Sequence, residues 1–276
     1  TSNIAEAVTK TDYYQESKMI FISPTVSASV FFGKDDALLT MIDVNEKQGA
    51  LLARKAIADG TLSMAIVYEE TNSIYTEPLT TSFQEEFQQL GGEVVYTNHF
   101  ATSKDAPFDK LAQEIVDSKA KGVLLAAGGM DASQLSQYLF KFGSHQQIFT
   151  GMWSRTEDFI KNGSMAVERA YSISTYDMKN LSPSGIGFVK DYLKQFGYEP
   201  VFSAFHSFDV TQLLIQKIID NQKLPLQPQS VKEAIINLDH FEGSLGVVSF
   251  DENGDCKPPY LVVQVMNGMY EKVIQP

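Results

Sequence analysis

The alternation of short apolar runs with amphipathic segments is the feature that most limits how this chain can fold. Predicted strands lie at residues 19–22, 38–42, 64–68, 93–96, 123–127 and 148–150. Between them, apolar residues recur every three or four positions, which predicts one face of a helix, as for Leu79, Phe83, Phe87 and Leu90. Strands that alternate with such helices require right-handed crossovers and form a parallel sheet covered on both faces. The predicted fold class is therefore α/β.

The two ends of the chain have a different pattern. Residues 2–17 are predicted to form one helix. In the middle of the chain, the Gly91-Gly92 pair is predicted to end the helix that contains Leu79 and Phe83. Near the other end, residues 246–250 and 260–265 are predicted to be successive antiparallel strands, with a third strand after the Asn267-Gly268 turn.

Composition excludes several classes of function. The 276 residues carry a net charge of −12 without a block of lysine or arginine, which argues against nucleic acid or anionic lipid as a partner. A single cysteine, Cys256, excludes an internal disulfide framework. The four histidines are scattered, and no hydrolase, Walker or dinucleotide-binding motif occurs, so no metal and no cofactor are predicted. No apolar run approaches the roughly 20 residues of a membrane span, so no direct membrane insertion is predicted.

Two predicted strand ends carry polar and aromatic side chains. Residues 23–29 form a small turn rich in hydroxyls directly after the first strand, and we expect free backbone amides there as well. The polar loop 69–73 follows another strand and leads to Tyr75 at the start of the next helix. Small ligands bind at the carboxyl ends of strands in open α/β sheets, so these ends are predicted to be two walls of one cleft.

Several landmarks occur along the chain in a fixed order: Ile22-Ser23-Pro24 with Ser27, residues 43–49, residues 67–75, Gly91-Gly92, Pro107-Phe108-Asp109 and residues 243–255. In this order the chain resembles the type I periplasmic binding proteins of the branched-chain amino-acid (Leu/Ile/Val-binding) group. The resemblance implies a two-lobed fold with parallel doubly wound sheets, joined by a three-strand hinge and closing on a ligand. It places residues 1–43 and 176–257 in lobe 1, and residues 44–175 and 258–276 in lobe 2. It also implies that the usual first part of lobe 1 is missing, so we expect a truncated or processed form of a longer protein.

The resemblance also implies a set of ligand-binding residues. The ligand's carboxylate would be held in lobe 1 by Ser2, Thr25, Val26 and Ser27, through hydroxyls and backbone amides that satisfy an anion without a counter-charge. Tyr75 matches a pocket tyrosine of lobe 2. The alternatives stay open: the hydroxyl residues would only cap helices and close turns, and Tyr75 would be an ordinary surface tyrosine.

Two departures from the family pattern concern the nature of the ligand. Met130 stands where amino-acid binders have a second pocket tyrosine, and Trp153 stands where they have the glutamate that neutralises the ammonium group. A buried ammonium without a carboxylate partner costs several kcal/mol, which argues against a standard α-amino acid. Met130 and Trp153 would offer a flat apolar wall. Asp131 could replace the glutamate, although a helix N-cap role is favoured for it, and Trp153 could equally lie in the core.

The resemblance thus implies a non-enzymatic solute-binding protein of an ABC transporter. It would capture a small carboxylate-bearing ligand, either an aliphatic or aromatic organic acid or an amino-acid-like molecule, and deliver it to a membrane permease. The implied location is periplasmic or extracellular, with a lipid anchor as one option for the full-length protein. A second hypothesis is the extracellular ligand-sensing domain of a signalling receptor. An enzyme ranks third, because no nucleophile with a base and no metal cluster is recognised.

Overall fold

The computed structural model describes residues 2–17, 19–101, 104, 106–220 and 227–273. They form two compact units. The first unit consists of Thr1–Val44 and Thr175–Pro259, and the second of Asn45–Ser174 and Tyr260–Pro276. The chain thus passes from one unit to the other three times. The assignment of these pieces to two lobes that close on a ligand stays a prediction.

The secondary structure alternates as expected. The helices are α1 Ser2–Thr9, α2 Asp12–Glu16, α3 Glu46–Ala58, α4 Ser73–Gln89, α5 Phe108–Asp117, α6 Gly129–Lys141, α7 Glu157–Gly163, α8 Pro183–Phe196, α9 Phe202–Asp220 and α10 Pro228–Ile236. The strands are β1 Phe21–Ser23, β2 Leu38–Thr40, β3 Ser63–Glu69, β4 Glu93–Phe100, β5 Gly122–Ala126, β6 Gln147–Thr150, β7 Tyr171–Ser174, β8 Phe241–Gly243, β9 Gly246–Val248, β10 Leu261–Met266 and β11 Met269–Lys272.

A seven-stranded sheet organises the described part of the second unit, in the order β11-β10-β7-β6-β5-β3-β4. Strands β4, β3, β5, β6 and β7 run parallel, and β10 and β11 are added antiparallel at one edge. The buried residues of β5 pack with the apolar stripe of α5, where Leu111 and Ile115 are shielded from solvent. The parallel arrangement confirms the predicted α/β class, and it brings the carboxyl ends of β3, β5 and β6 to one edge of the sheet.

In helix α4, three of the four predicted apolar positions are buried and the fourth is not. Leu79, Phe83 and Phe87 are fully buried, as the spacing predicts. The amide of Gly92 donates to the carbonyl of Phe87 at 2.8 Å, and Gly91 has φ +89°, so the glycine pair ends the helix as predicted. Leu90 was wrongly placed in the apolar stripe: it is the C-cap residue and is 45% exposed, because the chain has left the helical path there.

The first unit is built around the parallel pair β1 and β2, which aligns Phe21 with Leu38. Buried apolar residues from β2, α9 and α10 pack together beneath it: Leu39, Leu213, Val231 and Ile235. The single helix predicted for residues 2–17 is wrong. Thr11 divides it, because its side chain accepts a hydrogen bond from the amide of Tyr14 and caps a second helix.

The end of the chain corrects another prediction. Strand β9 pairs with β8 as a small separate hairpin, so residues 246–250 are not the neighbour of β10. Strands β10 and β11 do form the predicted hairpin on the seven-stranded sheet. Its turn residues, Asn267 and Gly268, both have positive φ values, 54° and 72°, as a tight hairpin turn requires. Across the described residues, no helix has the length and apolar character needed to cross a membrane.

Candidate ligand-binding site

The hydroxyl-rich turn of the first unit directly follows β1. Val26 and Ser27 are buried, and Thr25 is half-buried. The prediction of free backbone amides is wrong for Thr25 and Val26, because both amides donate to Ser23 Oγ, at 3.4 and 3.1 Å. The turn is therefore held by a bond pattern of its own, and contact between its hydroxyls and an anion stays a prediction.

Ser2 belongs to the same unit and begins α1, where it is buried. Its predicted participation in carboxylate binding, like that of Thr25, Val26 and Ser27, stays a prediction.

The second unit brings Tyr75 and Trp153 together. Tyr75 lies in the first turn of α4, and Trp153 lies in the 3₁₀ turn Met152–Ser154 that follows β6. Their ring centroids are 5.8 Å apart at an interplanar angle of 81°, an edge-to-face pair. Tyr75 is only 5% exposed, whereas Trp153 is partly exposed. The indole of Trp153 is thus the partly exposed ring of the pair, and the buried ring of Tyr75 packs against it.

The hydroxyl of Tyr75 is part of a buried polar network. It donates to Gln48 Oε1 at 3.0 Å and accepts from the amide of Trp153 at 3.4 Å. Burial raises the pKa of Tyr75 well above its ordinary value, although the nearby backbone amides of Trp153 and Met152 lower it in part. The hydroxyl is therefore a neutral donor and acceptor at physiological pH.

A pair of buried carboxyl groups lies at the same sheet edge. Glu69, at the end of β3, accepts hydrogen bonds from the hydroxyl of Thr71 and, at 3.4 Å, from the amide of Gly128. Burial is the largest cause that raises the pKa of Glu69; these two hydrogen bonds lower it, and the neighbouring carboxyl of Asp131 raises it further. Both side chains are at most 6% exposed. The two neighbouring buried carboxyl groups repel each other when both are ionised.

The structure corrects the helix N-cap role that the sequence favoured for Asp131. The N-cap of α6 is Gly128, and Asp131 is the third residue of the helix, with its side chain beside Glu69. Sequence reasoning treated Glu69 only as the first residue of a polar loop. Its place directly after a buried strand was a signal that could have identified it.

Met130 has a different environment from its helix neighbour Asp131. Its side chain is 45% exposed, and its sulfur accepts a hydrogen bond from Asn162 Nδ2 at 3.3 Å. Contact between Met130 and a ligand stays a prediction.

Solved structures with the same architecture come from several bacteria. The leucine-binding protein LivK from Thermotoga maritima is 22% identical, with a TM-score of 0.85 over 99% of this chain and 76% of that protein. LivJ from Streptococcus pneumoniae, solved in complex with isoleucine, is 19% identical, with a TM-score of 0.83 over 94% of this chain and 74% of that one. A Rhodopseudomonas palustris solute-binding protein in complex with benzoate is 16% identical, with a TM-score of 0.84 over 99% and 74%. These likenesses establish the type I periplasmic binding protein fold.

A sequence comparison leads to the family itself. A family model described as periplasmic binding protein matches residues 1–269. This match extends over nearly all of the 276 residues. The chain belongs to the periplasmic binding protein family.

Proposed function

We propose that this protein is the solute-binding component of an ABC transporter and works outside the cytoplasm, in the periplasm or at the cell surface. Its two units would close on a small carboxylate-bearing ligand, and a membrane permease would recognise the closed form. A ligand shifts such an equilibrium only through contacts that it makes better in the closed state. Family membership supports this proposal, together with the side chains at the strand ends of both units.

The observation that carries the proposal is the partly exposed Trp153, supported by Tyr75 at the carboxyl ends of the parallel strands. An indole ring in this position offers a flat, polarizable surface. It suits the apolar body of a ligand, either an aromatic ring or a branched aliphatic chain. Tyr75 contributes by fixing the angle of the indole.

The carboxylate end of the ligand would be bound by the first unit. The turn after β1 supplies the hydroxyls of Thr25 and Ser27, and α1 supplies that of Ser2. Hydroxyl donors hold an anion without a positive side chain, which allows the charge to be bound at low cost in a closed cleft.

Two features of the second unit bear on whether the ligand carries an amino group. Glu69 and Asp131 are buried side by side, and the raised pKa of Glu69 means that this carboxyl holds a proton more readily than usual. Two such carboxyl groups that share one proton still carry one negative charge. Amino-free aliphatic and aromatic acids are the proposed ligands because Trp153 stands where the family resemblance places the glutamate that would neutralise an ammonium group.

A thermal-shift series tests both parts of the proposal. L-Leucine and L-isoleucine are compared with their amino-free counterparts and with benzoate, because a ligand at a hundred times its Kd stabilises the folded state by about 2.7 kcal/mol. We expect the amino-free acids to raise the Tm and Trp153→Ala to remove the effect. Stabilisation by the amino acids alone would overturn the ligand class, whereas no stabilisation by any carboxylate would contradict the proposed function.

A further inference from the structure

Gln48 is a fully buried polar residue on an otherwise apolar helix face. It occupies the first turn of α3, and Leu52 and Ala56, four and eight positions later, are also fully buried. A polar side chain on such a face loses free energy unless its hydrogen bonds are made inside the protein. Its amide group must therefore have a definite set of partners.

Those partners come from three separate parts of the second unit. Gln48 Oε1 accepts from the hydroxyl of Tyr75 at 3.0 Å and from the amide of Met152 at 3.0 Å. Gln48 Nε2 donates to the hydroxyl of Tyr260 at 3.1 Å. One side chain thus connects the start of α4, the turn after β6, and the residue before β10.

The turn that carries Trp153 is fixed on both sides by this arrangement. Met152 is held by Gln48, and the amide of Trp153 itself donates to the hydroxyl of Tyr75 at 3.4 Å. Gly151 permits this close packing, because a Cβ atom there would come within 2.6 Å of the Tyr75 hydroxyl. The orientation of the indole therefore depends on two groups that both bind the same glutamine oxygen.

The same network reaches two places where the chain enters the second unit. Asn45, the first residue after one crossing, donates from its side chain to the carbonyl of Tyr75. Tyr260, the first residue after another crossing, binds Gln48.

We propose that Gln48 is a positioning residue of the ligand-binding wall, by which we mean Tyr75 and the turn Met152–Ser154 that carries Trp153. It does not contact the ligand; it holds Tyr75 and the Trp153 turn in one geometry and ties both to Tyr260 at the entry of β10. This inference deepens the proposed function and rests on it for the role of Trp153. The positioning itself is measurable without any ligand.

Trp153 is the one tryptophan of the 276-residue sequence, so tryptophan fluorescence, excited at a wavelength that the 12 tyrosines do not absorb, reports on this turn alone. The test variant is Gln48→Met, which keeps the length of the side chain and removes its hydrogen bonds. The matched control is Gln147→Met at the opposite end of β6, which deletes two hydrogen bonds of the side-chain amide, to the carbonyls of Arg169 at 2.7 Å and Ile148 at 3.2 Å. We expect stronger acrylamide quenching and a red-shifted emission in Gln48→Met only. Equal quenching in the two variants, or no change in either, would overturn the inference.

Titration with benzoate and L-leucine gives a second measurement. The loss of one or two net hydrogen bonds that hold the wall is expected to weaken binding of whichever probe binds by about five- to tenfold. An unchanged Kd in Gln48→Met would contradict the inference and leave the proposed function intact. If neither probe binds the unmodified protein, quenching alone decides the role of Gln48.

Tyr260→Phe provides a milder variant in case Gln48→Met does not fold. It removes a single hydroxyl and leaves the bonds of Gln48 to Tyr75 and Met152 in place. We expect a smaller increase in quenching than in Gln48→Met. Quenching identical to that of the unmodified protein would refute the tie between Tyr260 and the wall.

Discussion

The turn after β1 and the turn after β6 are held in different ways, although both follow parallel strands. In the first turn, Ser23 Oγ accepts from the amides of Thr25 and Val26, so every one of these bonds joins near neighbours in sequence. In the second turn, the amide of Met152 binds Gln48, which lies 104 residues earlier. A turn of the first kind is specified locally. The second turn also has local backbone bonds, from Ser154 to Gly151 at 3.2 Å and from Arg155 to Met152 at 3.0 Å, but its bond to Gln48 forms only when distant elements have assembled.

The largest expected loss of stability concerns helix α4, because this helix carries Tyr75, which binds the turn after β6. Phe83→Ala should lower the free energy of unfolding by about 3–5 kcal/mol, because Phe83 is fully buried and stacks on Phe87 with centroids 5.3 Å apart. Leu90→Ala, at the exposed C-cap of the same helix, should cost less than about 0.5 kcal/mol. Urea denaturation followed by circular dichroism measures both. Equal losses would mean that α4 is not anchored by this stripe.

A second prediction concerns His206 in the first unit. It is buried, lies 2.8 Å from Thr175 Oγ1, and burial lowers its pKa to about 4. The unfolded chain takes up a proton near pH 6.5 and the folded protein does not, so stability is fully present above pH 6.5 and declines as pH falls toward 4. The difference corresponds to about 3 kcal/mol.

His206→Gln removes this titration, so the Tm of the variant should fall less between pH 7 and pH 4 than that of the unmodified protein. His240→Gln, at an exposed position, should leave the decline unchanged. Parallel pH profiles for all three proteins would show that other groups cause the acid sensitivity.

The contrast between the two turns also explains what the sequence could predict. The apolar spacing of Leu79, Phe83 and Phe87 identified α4, because a helix that buries one face has apolar residues at every third or fourth position. The pair Gly91-Gly92 identified its end for a similar reason, since the required backbone conformation favours glycine. These features depend on neighbours only a few residues away.

The parts of the site that could not be predicted depend on residues that are distant in sequence. Gln48 and Glu69 gave no local indication of their partners, which become neighbours only through the order of the strands. Asp131 was assigned a cap because acidic residues often begin helices, yet Gly128 takes that position and leaves Asp131 beside Glu69. Trp153 could equally have been a core residue, because its partial exposure depends on how the turn after β6 is held.

The smallest expected effect tests the local turn itself. Ser23→Ala removes the acceptor for the amides of Thr25 and Val26, which should lower the free energy of unfolding by about 1 kcal/mol. Ser29→Ala, at an exposed position of the same turn, is the control and should have almost no effect. Because the bonds of Ser23 stay within its own turn, acrylamide quenching of Trp153 should be the same in both variants as in the unmodified protein. A quenching change in Ser23→Ala would show that the first turn is coupled to distant elements after all, and the distinction between a locally held and an assembled turn would then fail.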